Sequence, residues 1–272
     1  DDIKGDVESL RYTLAIEPEN ADAVHNMANC MYALGNYPAA IKYYTILIRL
    51  KPYEETGELF VGQSLIAMKA YDEAATHIEA ARNICIRNYL KAKRKDFFPE
   101  EELAVLQGVL DELIHAYSHD GDTAAAKQTI EQYLQYGGDA NIAEVMRAYV
   151  EMENGDPNDG LDMLNEVSVA SGYNAHVLLA AGQTAFDFGY INKAYYFLSL
   201  MAEKAGPEWY EGYAYLAYCA YALGEDTDFQ DYLRTACDRN PMEARLVLAE
   251  LFPAGTAPED YPVTPPLDFS QS

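Results

Sequence analysis

Three residues in the middle of the chain have the types and spacing of a metal site. Asp111, His115 and His119 recur every four residues, so one face of a helix can offer a carboxylate and two imidazoles. A zinc hydrolase with histidines at this spacing also needs a glutamate general base between them. Here the intervening residues are Ala116, Tyr117 and Ser118. The expectation is solvated histidines balancing nearby acids, with no cofactor and no catalysis. Asp111, His115 and His119 remain the one metal set to test. Cys30, Cys85, Cys219 and Cys237 form no CxxC pair and sit in apolar helical stretches. That predicts buried free thiols and suits a reducing compartment. No nucleophile elbow, glycine-rich phosphate loop or cysteine zinc cluster occurs in the sequence.

Charge narrows the partners. The chain of 272 residues carries 44 acids against 19 bases, a formal net charge of −25. Such a surface repels nucleic-acid phosphates and anionic headgroups and favours basic or apolar protein segments. Arg82, Arg87, Lys91, Lys93, Arg94 and Lys95 concentrate basic charge in one stretch. It reads as a solvated helix end, partly paired with Glu100, Glu101 and Glu102, rather than as a nucleic-acid site. No run of 18 apolar residues occurs, so no membrane insertion is expected. With no signal peptide in view, the expected compartment is the cytoplasm.

These residues must be positioned by helices, because the sequence repeats with a helical layout. Shifting Asp22–Pro52 by 34 residues places Tyr37 on Tyr71, Ala40 on Ala74 and Leu34 on Met68. Gly121, Gly155 and Gly189 are again 34 apart, and Gly224 follows after 35. Within the first full repeat, Val24, Met27, Ala28 and Met31 recur at three and four residues, the stripe of a half-buried helix. Pro38 opens the second helix, where a missing N–H costs little. Val61, Gly62 and Leu65 repeat the stripe, as do Leu110, Leu113, Ile114 and Tyr117. The repeat over Asn141–Asn174 is the least regular, since Arg147 and Glu151 fall where apolar residues are expected. Phe229 stands where Ala is usual, which predicts looser or shifted packing there.

This period and layout resemble the tetratricopeptide-repeat family over about Asp6–Phe252. The family's Trp is replaced by Val24, Glu58, Leu110, Leu178 and Tyr213. In style the chain is also similar to tetratricopeptide proteins of gut Bacteroidetes. The resemblance implies an all-α, right-handed superhelical solenoid of helical hairpins whose first helices line a groove. It also implies protein or peptide binding rather than catalysis. Projected from the repeat register, the partner-binding residues are Asn29, Tyr32, Phe60, Gln63, Gln183, Phe186, Tyr215 and Tyr218. His25, Leu59, Asp111, His115, Leu179 and Tyr221 share that face. Members that clamp a partner's terminal carboxylate use Lys, Asn and Arg on these first helices, where this chain has His25, Asn29 and Phe60 with no Lys or Arg, so that mode is not expected. An apolar or aromatic groove in acidic surroundings suits an apolar segment carrying basic residues.

The expected organisation is a partial repeat over 1–20, two repeats over 21–88, a helix extension with the basic patch over 89–106 and four repeats over 107–243. A capping helix over 244–252 and a Pro-rich tail over 253–272 close the chain. The expected function is a non-catalytic scaffold or adaptor. The alternatives are a cytosolic chaperone for a secreted or membrane-bound client and, from another class, a metal-dependent enzyme using Asp111, His115 and His119.

Overall fold

A computed structural model describes residues 3–95 and 97–241, together with 243, 244 and 247. Among the described residues there are thirteen α-helices and no strand. The chain divides after Gly138 into two compact units. In unit 1, α1 (Ile3–Ile16) is followed by three helical hairpins: α2 (Ala21–Ala33) with α3 (Tyr37–Leu50), α4 (Thr56–Ala67) with α5 (Tyr71–Lys95), and α6 (Pro99–Asp120) with α7 (Thr123–Gln135). Unit 2 has the same plan, with α8 (Ala140–Asn154) and α9 (Pro157–Ala170), α10 (Ala175–Asp187) and α11 (Ile191–Lys204), and α12 (Tyr213–Leu223) and α13 (Asp226–Arg239).

One size rule explains the hairpins. The first helix of each places a residue against a large side chain of the second, giving the equivalent pairs Ala28–Tyr44, Gly62–Ile78, Ile114–Ile130, Ala148–Leu164, Gly182–Leu198 and Ala217–Leu233. In five of the six the first-helix residue is Ala or Gly. A Cβ on Gly62 would lie 2.4 Å from Ile78 Cγ1, and one on Gly182 would lie 2.6 Å from Leu198 Cγ. Tyr44, Ile78, Ile130, Leu164 and Leu198 are fully buried. The second helix in turn offers a small residue at Ala40, Ala74, Ala126, Gly160 or Ala194. The four alanines are fully buried, and a Cβ on Gly160 would lie 2.9 Å from the Ala148 carbonyl oxygen. Such contacts leave no room for a larger side chain.

This rule also settles the irregular repeat. Its register runs through Ala148 and Gly160, the equivalents of Ala28 and Ala40. Arg147 turns outward to Glu144, while Val145, Ala148, Tyr149 and Met152 are buried. At the other anomaly, Phe229 is itself buried and packs in one cluster with Tyr213, Ala217 and Leu233.

Helix ends follow from side chains that satisfy unpaired N–H groups. Asn20, Asn36, Asp122, Asp139, Asp156 and Asn174 each accept a hydrogen bond from the first turn that follows. Each such cap contributes about 1 kcal/mol. Gly35, Gly121, Gly189 and Gly224 take positive φ at the turn between paired helices. Lys69 takes the equivalent place with φ 61°, a conformation that costs a side-chain-bearing residue about 1–2 kcal/mol.

The long hairpin of unit 1 is where the repeat departs from its period. α5 runs on to Lys95, and α6 starts at Pro99, three glutamates filling its first turn. Lys91, Lys93, Arg94 and Lys95 make no ion pair with those glutamates among the described residues, so the expected partial pairing is not realised. At the other end, Ala244 is buried beside the last hairpin and Glu243 accepts hydrogen bonds from the Gly212 and Ala214 amides. Val247 packs partly buried against the same cluster; the rest of the expected capping helix and the Pro-rich tail lie outside the described residues.

Candidate functional site

The first helices of unit 1 bring one set of projected residues together. Phe60 on α4 stacks on Tyr44 with centroids 5.2 Å apart and planes 12° from parallel. His25 lies 6.3 Å from the same ring and Tyr32 meets it edge-on at 6.4 Å. Tyr37 closes the cluster against Tyr32 at 5.3 Å. The Tyr44 hydroxyl donates to Asn29 Oδ1 at 2.7 Å, which orients the Asn29 amide from below. Phe60 is thus held among rings from the two preceding helices, and such packing makes a rigid aromatic surface.

Beside the aromatic cluster the same face turns acidic. Gln63 Nε2 donates to Glu112 Oε1 at 2.8 Å, joining α4 to α6. Asp111 adjoins Glu112 and faces His115, with His115 Nε2 3.8 Å from Asp111 Oδ1. Crowding by protein raises the Asp111 carboxyl to about 6, although 48% of its side-chain surface still meets solvent. The two facts agree if the carboxyl sits deep among neighbours with one side open. Burial also raises Glu112, which its bond from Gln63 and the nearby His115 partly offset. Tyr32 is raised by burial first and then by Tyr37 and Glu112, which ties the acids to the aromatic cluster.

Glu112 was not among the projected residues, yet the signal was present. Phe60 and Glu112 hold the same position in successive repeats once the insert is allowed for. Tyr44, the support of Asn29 and Phe60, lies on a second helix and so outside a projection limited to first helices.

The metal reading loses its third ligand. His119 stacks on Tyr71 of α5 at 4.9 Å, away from the Asp111–His115 pair. Eight residues of helix carry a side chain about 80° past its starting direction, and His119 uses that offset to stack on Tyr71 rather than to join Asp111. Among the described residues no group of three His, Cys, Asp or Glu is arranged to hold a metal ion. The cysteines are free. Cys85 and Cys219 are buried, and burial pushes both thiols up to about 12; Cys30 and Cys237 are half-buried.

In unit 2 the projected residues form a second aromatic group. Phe186 on α10 receives Tyr215 edge-on at 5.2 Å and Tyr218 edge-on at 4.9 Å. The two tyrosines are half-buried and hold one ring between them, and Gln183 lies one turn before Phe186. Tyr221 is exposed and packs on Phe229 at 5.2 Å, and Leu179 is buried near Gly212. Among the described residues no helix is long and apolar enough to cross a membrane.

Comparison with known proteins agrees with this geometry. A tetratricopeptide-repeat sequence profile matches residues 22–52. No curated protein sequence matches the chain. Among solved structures, a tetratricopeptide repeat protein from Parabacteroides merdae superposes with a TM-score of 0.51 at 15% identity, covering 91% of this chain and 93% of that one. Pseudomonas aeruginosa PilF superposes with a TM-score of 0.39 at 16% identity, covering 91% of each chain. The TPR2AB domain of yeast Sti1, solved in complex with an HSP90 peptide, gives 0.35 at 14% identity, covering 85% and 92%. The first shows a shared fold; the other two superpose too loosely to add to it.

Proposed function

The chain is a tetratricopeptide-repeat protein, and on that premise we propose that it is a non-catalytic interaction module. Its ligand is a protein segment that presents apolar side chains next to Lys or Arg. The observation that carries this is the juxtaposition in unit 1 of a rigid aromatic surface with two carboxyls on adjoining first helices. Tyr32 and Phe60 offer apolar area at low entropic cost, and Asn29 and Gln63 offer amide hydrogen-bonding groups at its edge. Asp111 and Glu112 then favour a cation one or two residues further along the ligand. The face carries no Lys or Arg that would bind a terminal carboxylate or a phosphate. In unit 2, Gln183, Phe186, Tyr215 and Tyr218 are proposed as a second, more apolar contact surface. Nucleic acid is not the partner in this reading, because its phosphates would meet carboxylates.

Panning a displayed random peptide library against the purified protein tests the reading. Enrichment of Lys or Arg beside Leu, Ile or Phe is expected, and it should be lost on the Phe60→Ala, Glu112→Lys variant. Enrichment of acidic peptides, or enrichment that ignores both substitutions, would overturn the proposal.

A further inference from the structure

The long hairpin of unit 1 carries a surface that the first-helix face does not use. On one flank, Arg87 lies over the Tyr53 ring at 5.7 Å and Asn88 donates to the Tyr53 carbonyl at 3.2 Å. The connection between α3 and α4 therefore meets α5 at residues 87–88. On the other flank, Tyr89 meets Tyr136 edge-on at 6.0 Å and Gln107 donates to the Tyr136 carbonyl at 3.0 Å. The end of α7 is therefore level with Tyr89 and Gln107. The last six residues of α5 and the first eight of α6 continue past both neighbours, a projection of roughly 10 Å at 1.5 Å per residue.

Two exposed phenyl rings stand at the apex of this projection. Phe97 and Phe98 are 67% and 59% exposed, with ring centroids 4.9 Å apart. Leu90 and Val105 are exposed on its sides. The flanks are charged with opposite signs. Lys91, Arg94 and Lys95 are exposed and share one face of α5 at i, i+3 and i+4. Glu100 and Glu101 are exposed in the first turn of α6, with Glu102 half-buried beside them. Among the described residues, these bases and acids form no ion pair with one another.

We propose that this tip is a self-association surface, through which two copies of the chain pair about a two-fold axis. A two-fold interface must be self-complementary. A projection with a basic flank, an acidic flank and two exposed phenyl rings at its apex meets that condition. The basic face of α5 in one copy lies against the acidic first turn of α6 in the other, and the four phenylalanines are buried between them. An anionic membrane or a nucleic acid would attract one flank and repel the other, which favours a second copy. The projection also separates the tip from the acidic body by about one Debye length at physiological salt, so the net charge does not prevent approach. The patch is small beside the roughly 800 Å² per partner of a stable complex. The dimer is accordingly weak, concentration-dependent and weakened by salt.

Sedimentation velocity from low to several hundred micromolar protein tests this, with circular dichroism confirming helix content in every variant. The wild-type chain should show a monomer–dimer equilibrium, and Phe97→Ser with Phe98→Ser should weaken it about tenfold or more, about 1.4 kcal/mol. Two charge-swap chains, Lys91→Glu with Arg94→Glu and Lys95→Glu, and Glu100→Lys with Glu101→Lys and Glu102→Lys, should each be monomeric. Mixed in equal amounts they should form a heterodimer. A wild-type chain that stays monomeric throughout, a dimer that survives the swaps, or a mixture that stays monomeric would overturn the proposal. So would Phe97- and Phe98-dependent flotation with phosphatidylserine vesicles in the absence of self-association.

Discussion

Replacing Gly182 by Ala tests the packing rule where the structure gives numbers. Two opposed effects follow from one methyl group. Ala favours the helix over Gly by about 1 kcal/mol. The new Cβ, however, would lie 2.6 Å from Leu198 Cγ and 2.7 Å from Cδ2, in a fully buried site. Both atoms belong to a branched side chain with no free rotamer, so the helices must part, and overpacking of this kind costs about 1–3 kcal/mol. The single variant should be destabilised by roughly 0–2 kcal/mol. Leu198→Ala alone should cost about 2–5 kcal/mol through the cavity it leaves. In the double variant the clash is gone and the helix gain remains, so its cost should fall below the sum of the singles by about 1–3 kcal/mol. The assay is urea unfolding followed by fluorescence of Trp209, the single tryptophan, which packs against His176 at 4.6 Å within unit 2. Far-UV dichroism should give the same transition. Additivity of the two substitutions within about 0.5 kcal/mol would refute the pairing of Gly182 with Leu198.

Three further outcomes follow from the same structure. Ala74→Leu and Ala194→Leu, at fully buried helix contacts, should each lower stability by about 1–3 kcal/mol, and unchanged melting temperatures for both would contradict the register. Lys69→Gly should raise stability by about 0.5–1 kcal/mol net of the entropy Gly adds to the unfolded chain, as read by urea midpoint; a loss would show the positive φ at Lys69 to be unstrained. Asp111 has a folded pKa raised from 3.8 to about 6, so its protonated form is favoured in the native state. Stability from this group is full below the unfolded value and lost as pH rises to about 6, so Asp111→Asn should flatten the fall in melting temperature between pH 4 and 6, by less than the whole shift because the carboxyl is half solvated. An identical pH profile for the variant would remove Asp111 as its cause.

The hairpins were legible because their determinants are local and repeated. The small residues at 28, 40, 62, 74 and 194 and the turn glycines recur at one spacing, and each forces the same close approach wherever it occurs. The irregular repeat was harder to read because its stripe is carried by Val145, Ala148 and Met152 rather than by the residues at 147 and 151. The long helix α5 was readable as an extension carrying the basic patch, but whether its bases pair with Glu100–Glu102 depends on side-chain positions across a turn. The aromatic residues projected from the repeat register, Tyr32, Phe60, Phe186, Tyr215 and Tyr218, lie on first helices. What sequence could not show was how their rings meet: that Tyr44 supports both Asn29 and Phe60, that Tyr215 and Tyr218 enclose Phe186, and that Gln63 joins Glu112. Those depend on distances between repeats. His119 does not join Asp111 and His115 because its ring stacks on Tyr71 of the preceding helix, a contact between helices that spacing alone does not reveal.

The most direct test of the proposed function is the affinity of a library-selected peptide, measured by isothermal titration calorimetry against four forms of the protein at pH 5 and pH 7. The wild-type chain should bind more tightly at pH 7, where Asp111 is ionised, and Glu112→Gln should weaken binding chiefly when the peptide retains its Lys or Arg. Phe60→Ala should weaken binding whether or not that cation is present, and Tyr196→Ala, at an exposed position of α11 in the other unit, should change nothing. Equal affinity for the wild-type chain, Glu112→Gln and Phe60→Ala at both pH values would contradict the assignment of this face as the binding site.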